Sequence, residues 1–383
     1  MKNLDIYTLY LIYDHLTNQE VGLLQLVNKN IHNNILIYQK YLINQLLKNN
    51  YYSIFIKNII LNNRYQYNYI CNSEIIEKLN EKSIIYILGI SYYSTHCSLL
   101  YKLYFNKYFQ EYRFVPIIKS HMNYFNKHSG IQLIYLGGEL MFIMHNKIKI
   151  YNILTNHWYN YNIIGYNENS IQCNKVCCVY NNQIYVTQSY WNGDNEFKKY
   201  SSFPLSILEF DDCKFILKIF SLSSMLLKSR MGHSMIAFNN KLWVAGGKHE
   251  DEYLNDIEIF DFKLGIWKIQ ISKMNRKRIN FKLEVIENEL YAIGGDIDYN
   301  DLLITIEKYD NIKNKWNIIA SKSIVIYHSY VVLENKIFLF TNDLEEYNKV
   351  ICYIYNTINN SWIKTNINID FFKNAHLHLI GIN

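Results

Sequence analysis

One local pattern recurs six times along this chain, roughly every 50 residues. In each copy an aromatic residue is followed by Asp or Asn, and a bulky residue stands seven positions after the first. The six pairs with their seventh-position partners are Phe105-Asn106 with Tyr112, Tyr151-Asn152 with Trp158, Phe210-Asp211 with Leu217, Phe260-Asp261 with Trp267, Tyr309-Asp310 with Trp316, and Tyr355-Asn356 with Trp362. A repeat of this length, with several short strands per unit, is typical of small β-sheets arranged radially.

The fourth unit shows how one copy is expected to fold. Its short apolar or alternating runs, separated by turn-forming residues, are residues 234–238, 242–245, 257–260 and 267–269. Four such runs predict one twisted antiparallel sheet. Gly246-Gly247 ends the second run, where glycine allows a sharp turn. We expect Trp267 to fill the space between this sheet and its neighbour, because the indole ring is large.

Two of the six units closely resemble the kelch repeat, which combines a diglycine with a later aromatic-Asp pair and a Trp. The matching residues are Gly246, Gly247, Phe260, Asp261 and Trp267 in one unit and Gly294, Gly295, Tyr309, Asp310 and Trp316 in the next. The other units depart from this pattern: Thr341-Asn342 stands at the sixth diglycine position, and Leu217 replaces the third Trp. In the second unit we interpret Gly137-Gly138 as a turn before a strand at residues 140–143. The resemblance implies a mainly β fold of the kelch-type β-propeller class.

The two ends of the repeat region are expected to share one sheet. Residues 376–383 read like the first strand of a unit, and residues 80–89 read like the second strand. Pairing these segments would remove open sheet edges from the ring. We therefore predict a six-bladed propeller over residues 81–383, with one blade built from both segments and closed by the C-terminal strand.

Residues 1–80 differ in character from the repeats. Apolar residues at helical spacing predict a small all-α domain of three helices over residues 1–47 and a helical linker over residues 48–80. The first segment resembles an F-box, and its apolar matching positions are Leu4, Leu11, Ile12, Leu16, Leu23, Leu24, Leu26 and Val27. Asp5 stands where that family has Pro, and Ile31 stands at its usual Trp position. A three-helix cap without F-box function has the same periodicity and is the alternative.

Composition narrows the class of protein. The chain has 383 residues and a net charge of +6, but no basic run long enough to indicate nucleic-acid binding. The sequence shows neither a secretory leader pattern nor an apolar stretch of the roughly 20 residues that span a membrane. We therefore expect a cytoplasmic or nuclear protein without a nucleic-acid or membrane partner. The seven cysteines include no CxxC pair, so free thiols are expected.

Candidate catalytic chemistry is sparse, and no active site, cofactor or metal site is predicted. His376 and His378 would share one strand face, but no carboxylate or cysteine is close to them in sequence. His233 and His328 precede strands at equivalent places in their units, which favours a structural role. The basic segment Lys273–Arg278 is interpreted as a solvated loop between units.

Binding to a protein is the favoured use of such a fold. Arg230 and Arg278 open their units at equivalent positions, and Lys373 lies near the matching place before the last strand. Residues that open the units of partner-binding kelch propellers often face the binding surface, so the resemblance implies substrate contact here. Three cations around a channel would attract an acidic or phosphorylated substrate. Hydrogen bonding between neighbouring blades is the alternative role for these side chains.

The arrangement as a whole resembles the substrate receptors of cullin-type ubiquitin ligases of the SCF class. By this resemblance, the apolar N-terminal positions would bind a Skp-family adaptor and its cullin, and the propeller would bind the substrate without catalysing a reaction. A kelch scaffold without ligase activity is the first alternative, and a propeller enzyme is the second.

Overall fold

The computed structural model describes residues 84–91, 98–106, 111–118, 131–136, 139–144, 146–153, 157–164, 172–192, 199–202, 204–211, 214–220, 225–295, 303–323, 329–342, 350–367 and 375–382. Every regular element within these ranges is a β-strand, which confirms the mainly β class for this part of the chain. The predicted helices of residues 1–47, the linker 48–80, His328 and Lys373 lie outside the described residues.

The strands are numbered in chain order. The first twelve are β1 (Ile84–Ser91), β2 (Ser98–Asn106), β3 (Glu111–Ile118), β4 (Gln132–Leu136), β5 (Glu139–Ile143), β6 (Lys147–Asn152), β7 (His157–Ile164), β8 (Gln172–Tyr180), β9 (Gln183–Asn192), β10 (Lys199–Ser202), β11 (Ser206–Asp211) and β12 (Lys214–Ile219). The next six are β13 (Ser234–Phe238), β14 (Lys241–Ala245), β15 (Lys248–His249), β16 (Glu252–Tyr253), β17 (Ile257–Asp261) and β18 (Ile266–Ile269). The remaining strands are β19 (Lys282–Ile286), β20 (Glu289–Ile293), β21 (Leu303–Asp310), β22 (Lys315–Ser323), β23 (Ser329–Leu333), β24 (Lys336–Asn342), β25 (Val350–Asn356), β26 (Ser361–Ile367) and β27 (Ala375–Ile382).

Four sheets share one order of four antiparallel strands. These orders are β27-β1-β2-β3, β13-β14-β17-β18, β19-β20-β21-β22 and β23-β24-β25-β26. The four strands predicted for the fourth unit are confirmed as β13, β14, β17 and β18. The strand expected after Gly137-Gly138 is also confirmed, as β5, although the turn itself lies outside the described residues.

The first of these sheets joins distant parts of the sequence. Strand β27 pairs antiparallel with β1, from Ile84 opposite Ile382 to Ser91 opposite Ala375. Strand β27 therefore takes the first position in this sheet and β1 the second, which confirms the pairing predicted for the two segments. Every residue of both strands takes part in this ladder.

The recurring aromatic pattern corresponds to a pair of residues opposite each other on the third and fourth strands. Phe260 pairs with Trp267 and Tyr309 with Trp316, and their ring centroids lie 5.2 and 5.3 Å apart. The same register places Tyr355 opposite Trp362 and Phe105 opposite Tyr112. The residue after the aromatic one then stabilises the turn to the fourth strand. The side-chain oxygens of Asp261, Asp310 and Asn356 each accept a hydrogen bond from the backbone amide two residues later.

The third unit departs from this register. Its strands β8, β9, β11 and β12 pair in that order, and β10 pairs with the end of β9. Phe210 stands opposite Phe215, whereas Leu217 stands opposite Leu208. The seventh-position residue of this unit therefore does not face its aromatic residue. The reason is a shorter hairpin: Asp211 pairs directly with Lys214, so the seventh position lies beyond the facing residue.

Contacts between Cα atoms divide the chain into two compact units. In the described part of the chain, the first includes residues from Tyr135–Leu140 and Ile150–Tyr159. In its described part, the Tyr151 and Trp158 rings lie 5.1 Å apart, and Asn152 donates a hydrogen bond of 3.4 Å to Glu139. Burial raises the pKa of this Glu139 carboxyl to about 7. The second unit contains the rest of the chain, including all strands from β8 onwards.

Within the second unit, the sheet β13-β14-β17-β18 packs against an apolar cluster on each face. Leu242 and Trp267 pack in one apolar cluster with Tyr185 of β9, while Trp243 packs in another with Trp316 of β22. The cluster between the next two sheets is built in the same way. The prediction that Trp267 fills the space between neighbouring sheets is therefore confirmed, and Trp316 has the equivalent position in the next sheet; both side chains are buried. Each sheet consequently depends on its neighbours for its apolar burial.

We predict that deleting residues 375–382 will lower the stability of the chain. Without β27, strand β1 keeps β2 on one side but loses its partner along the whole of the other side, where its backbone donors and acceptors become an open edge. Urea unfolding followed by tryptophan fluorescence should show a lower midpoint for the shortened protein. A midpoint and slope equal to those of the full chain would contradict a structural role for this pairing.

Candidate binding rim

Two short segments lead into the first strands of neighbouring sheets at equivalent positions. Residues 225–233 precede β13 and residues 273–281 precede β19; we call them the opening segments. Asn280 N donates to Gly232 O at 2.8 Å, which joins the two segments directly. Gly247 N donates to Arg278 O at 2.7 Å, so the diglycine turn lies against the following opening segment. We call these segments, together with the β15–β16 hairpin, the binding rim.

The diglycine needs glycine because of this close approach. Gly246 and Gly247 have φ values of 59° and 90°, a region that side-chain-bearing residues rarely adopt. A Cβ atom built on Gly246 would lie 2.7 Å from the carbonyl oxygen of Arg278. The turn and the opening segment can therefore pack together only when a side chain is absent.

Arg230 forms a buried network with two carboxylates. Its Nε and NH2 groups donate to Glu258 Oε1 at 2.9 and 2.7 Å, and NH1 donates to Asp256 Oδ1 at 2.7 Å. NH1 also donates to the carbonyl of Gly246 at 3.0 Å. Burial alone would raise the pKa of Asp256, but the Arg230 charge and the hydrogen bonds from Lys228 and Arg230 lower it.

Arg278 repeats this arrangement in the next sheet. Its NH2 group donates to Glu307 Oε1 and to Thr305 Oγ1, each at 2.7 Å. Its NH1 group donates to the carbonyl oxygens of Gly294 and Thr305. In both units the arginine thus connects an opening segment, the first glycine of a diglycine and a carboxylate on the third strand.

The two glutamates also hold the backbone of the opening segments. Glu258 accepts hydrogen bonds from the amides of Leu227 at 2.6 Å and Lys228 at 3.1 Å. Glu307 accepts the corresponding bonds from Asn275 at 2.7 Å and Arg276 at 3.0 Å. Each buried carboxylate therefore neutralises an arginine and satisfies two loop amides, which fixes the conformation of the segment.

The structure places Arg230 and Arg278 differently from the sequence-based expectation. Both side chains are only 1% exposed. Their hydrogen bonds are to the diglycine and the third strand of the same repeat, whereas the alternative role was hydrogen bonding between neighbouring blades. The expected surface position is corrected, because burial beside a carboxylate leaves these guanidinium groups without an exposed face. Direct substrate contact by these arginines stays a prediction, as it does for Lys373, which lies outside the described residues.

Sequence reasoning did not single out Glu258 and Glu307. Each stands two positions before the aromatic residue of its repeat, in Glu258-Ile259-Phe260 and Glu307-Lys308-Tyr309. Both are fully buried on the third strand, where an unpaired charge would be costly. The sequence feature that could have revealed this pair is that the same two units both have a glutamate at this position and an arginine in the opening segment.

The segment between the diglycine and β17 contains a short hairpin, β15–β16. Its β15–β16 hairpin is joined to the opening segment by two backbone hydrogen bonds between Met231 and Lys248, of 2.9 and 2.8 Å. His249 lies 2.8 Å from the carbonyl oxygen of Ser229 through its Nδ1 atom. The carboxylates of Asp251 and Glu252 are 82% and 68% exposed.

His233 connects the opening segment to strand β9. Its Nδ1 lies 3.0 Å from the carbonyl oxygen of Arg230 and must donate there, so its Nε2 accepts from the Thr187 hydroxyl at 2.8 Å. Burial, reinforced by the nearby Arg230 charge, lowers the pKa of His233 to about 3. The imidazole is therefore neutral at physiological pH and has the structural role expected from the sequence.

The described residues contain no group of three or more side chains suited to hold a metal ion. Cys177, Cys178 and Cys352 are free thiols, as expected, and burial raises the pKa of Cys177 to about 12. The pKa of Cys178 and Cys352 is raised for the same reason. Thiols in this environment are poor nucleophiles at neutral pH. Within the described ranges, no helix has the length and apolar character to cross a membrane.

Comparison with known protein families agrees with this geometry. The family model described as KLHDC2/KLHL20/DRC7 Kelch-repeats domain matches residues 128–341, more than half of the chain. The chain belongs to this kelch-repeat family. Kelch repeats and a β-propeller fold are thus supported by both the sheet topology and the family match.

Several curated kelch proteins match parts of the chain. Kelch-like protein 38 of Mus musculus is 26% identical over 137 residues, which cover 34% of this chain and 23% of that protein. Kelch-like protein 41a of Danio rerio is 31% identical over 90 residues, or 23% and 15% of the two chains. The Influenza virus NS1A-binding protein homolog of Xenopus laevis is 33% identical over 73 residues, or 19% and 11%. The chain spans less than a quarter of the length of these relatives.

We predict that Arg278→Met will lower the free energy of unfolding by about 3–5 kcal/mol, because it leaves the Glu307 carboxylate buried without its counter-ion. The matched control is Lys277→Met, which removes an exposed ion pair with Glu252 and should cost less than about 1 kcal/mol. Urea unfolding of both variants measures the difference. Equal small effects would contradict the claim that the buried Glu307 carboxylate needs Arg278 as its counter-ion.

A second prediction concerns the pH dependence of stability. The unfolded His233 side chain binds a proton below its ordinary pKa of 6.5, whereas the folded one does so only below about 3. The neutral imidazole therefore makes its full contribution to the free energy of unfolding above pH 6.5. Below that pH the contribution decreases, by up to about 1.4 kcal/mol per pH unit. Unfolding free energies of wild type and His233→Gln, measured from pH 7 to pH 4, should show a shallower decline in the variant. Parallel curves would contradict the buried neutral state.

Proposed function

We propose that this kelch protein is a non-catalytic substrate receptor of a cullin-type ubiquitin ligase of the SCF class. In this proposal the F-box-like segment, residues 1–47, binds a Skp-family adaptor, and residues 48–80 link it to the propeller. The propeller, residues 81–383, binds the protein to be ubiquitinated. The cytoplasm or the nucleus is the proposed location, and no cofactor is required.

The observation that carries the binding function is the preformed rim. Rigid scaffolds commonly carry recognition on surface loops. In two neighbouring repeats, Glu258 and Glu307 hold the opening segments through both arginine and amide contacts. A binding surface fixed before association loses less conformational entropy when a partner docks.

Six blades are part of the proposal. Support comes from the six copies of the aromatic-Asp or aromatic-Asn pair in the sequence and from the four sheets of identical strand order. The third unit adds four strands in the order β8, β9, β11 and β12, within a larger sheet in which β12 also pairs parallel with β7. The pairing of β27 with β1 is the arrangement that a closed ring would use.

The proposed substrate is a protein with an acidic or phosphorylated segment. In this proposal Arg230 and Arg278 act mainly by shaping the rim, since their side chains are buried against carboxylates. Lys373 would add a cation near the start of β27. The Xenopus laevis relative is named for binding a viral protein, which is consistent with a protein-binding role for the shared repeats.

A kelch scaffold without ligase activity is the second candidate. The family match and the curated relatives concern the repeats, and residues 128–341 are the matched region. A scaffold would use the same rim to hold two partners together and would not need an adaptor. Capture of an adaptor by the N-terminal segment separates the two functions.

The test replaces Leu11 and Ile12 with Ser in the full-length chain. If these residues dock on the adaptor, their loss removes roughly 1.5–3 kcal/mol per buried side chain and should abolish adaptor capture. Pull-down of a Skp-family adaptor and cullin by wild type and variant measures the effect, and the melting transition of the propeller serves as the fold control. Lack of adaptor binding by wild type at micromolar concentration would contradict the receptor function.

A further inference from the structure

An exposed apolar surface lies at the junction of the third and fourth units. Phe220 follows β12, and its ring centroid lies 5.7 Å from that of Phe260 on β17. Leu227, in the opening segment, donates its amide to Glu258, which stands opposite Ile269 in the β17–β18 ladder. These contacts place Phe220, Leu227 and Ile269 on one side of the sheet, where they are 38%, 56% and 55% exposed. We call these three residues the apolar flank.

The next repeat does not have this surface. Asn275 stands at the position of Leu227, and its side chain donates to Glu307 at 2.8 Å. Lys273 stands where the preceding repeat has Met225, which is 45% exposed and lies two residues before the apolar flank continues. The shared framework of the opening segments therefore does not require apolar residues at these exposed positions. A contiguous exposed apolar surface is typical of a contact with another molecule.

The apolar flank adjoins an open sheet edge. In the described part of the chain, β18 is the last strand of its sheet and pairs with β17 alone. Gln270 N donates to the carbonyl of Ile257 at 2.8 Å, so this amide points toward β17. Successive residues of an antiparallel strand alternate between its two edges, and the N–H and C=O of Ile269 therefore point outward. Outward-facing backbone groups of this kind can pair with an added strand.

The opposite face of β18 carries an available cation. Side chains alternate along a strand, so Lys268 lies on the other face from Trp267 and Ile269. Lys268 is exposed and forms no ion pair within the residues that the structure describes. Asp261, the acidic residue on this face of β17, has its ion pair with Lys241 at 3.8 Å. A strand added at this edge would therefore meet the apolar flank on one face and a positive charge on the other.

We propose that the outer edge of β18 binds an extended acidic segment of a partner protein, which adds to the sheet as a fifth strand. Apolar side chains on one face of this segment pack on the apolar flank, and carboxylates on its other face lie near Lys268. Pairing of the β18 strands of two copies of the chain is disfavoured, because it would bring their Lys268 side chains together. The site goes beyond the proposed receptor function and would serve a scaffold equally well.

The first experiment tests the apolar contact with the full-length chain and a fluorescein-labelled nonapeptide of alternating Val and Glu. The test variant Leu227→Asn introduces the residue that the next repeat has at this position. The matched control Ile358→Asn changes an aliphatic side chain that is 69% exposed in the turn between β25 and β26. Fluorescence anisotropy should show about tenfold weaker binding for the test variant, because an apolar contact is lost, and a loss of less than about twofold for the control. Equal losses in the two variants would overturn the proposal.

The second experiment tests strand addition. Ile269→Pro removes an N–H that points outward and is not used by the ladder with β17, whereas Ile269→Val keeps this N–H. We expect peptide affinity to fall about tenfold with Pro and less than about twofold with Val. Ile318→Pro, at the equivalent position of β22, is the matched control and should leave the affinity unchanged. Circular dichroism melting confirms that all variants remain folded.

Modified peptides test the same site without changing the protein. An added strand directs alternate N–H groups toward β18, so N-methylation of one alternate set should abolish binding and methylation of the other set should not. Equal binding of both methylated peptides would overturn the proposal, and so would equally tight binding of an alternating Val-Lys peptide.

Two further outcomes would also contradict the site. A wild-type dimer that Ile269→Pro dissociates, without peptide binding, would identify a second copy of the chain as the occupant. Absence of peptide binding by wild type, with adaptor capture intact, would overturn the β18 site and leave the receptor function standing. Peptide binding through β18 without adaptor capture would support the site and contradict the ligase function.

Discussion

The buried contact between an arginine and a third-strand glutamate is the interaction on which the rim depends. Arg230 with Glu258 and Arg278 with Glu307 each place opposite charges 2.7 Å apart in the interior. A buried ion pair of this kind adds little net stability, because desolvation offsets most of the attraction. Its value here is geometric: the same carboxylate also receives two loop amides, so only one loop conformation satisfies every buried polar group.

Packing between sheets supplies the stability that the ion pairs do not. The clusters around Trp267 and Trp316 each combine apolar residues from two neighbouring sheets. Such sheets have no solvent-facing side in their inner strands, which explains why β14 and β20 read as continuous apolar runs rather than alternating ones. The diglycine after β14 lets the chain leave the core while it packs against the next opening segment, and Gly294 after β20 lies against Tyr330 of β23.

Much of this architecture could be predicted from local patterns. The four strands of the fourth unit, the aromatic pairs around Trp267 and Trp316, and the joining of β27 to β1 all follow from repeated spacing. The register of the third unit could not be predicted, because it depends on a hairpin shorter by a few residues. Burial of Arg230 and Arg278 also depends on partners far along the chain. Equivalent positions in two repeats suggested a common surface, but repetition more often marks a shared structural contact, as the histidines had suggested.

Residues shared by the two regular repeats and residues that differ between them have different roles. Residues that recur in both regular repeats build the rim, and residues that differ between the repeats, such as Lys273 and Lys277, give each blade its own surface. Family membership explains the first set, since diglycine, aromatic pair and Trp are shared kelch features. In the proposed binding function, recognition of a particular partner would come from the second set, because a shared scaffold cannot distinguish one substrate from another.

The most direct test of a preformed rim is amide hydrogen exchange of the free protein at Asn275 and Arg276. Both amides lie in a loop without regular secondary structure, yet both donate to the buried Glu307 carboxylate. The account predicts protection comparable to that of the neighbouring strand β20, because exchange would require opening of the buried network. Exchange at the rate of an unprotected loop peptide would contradict it.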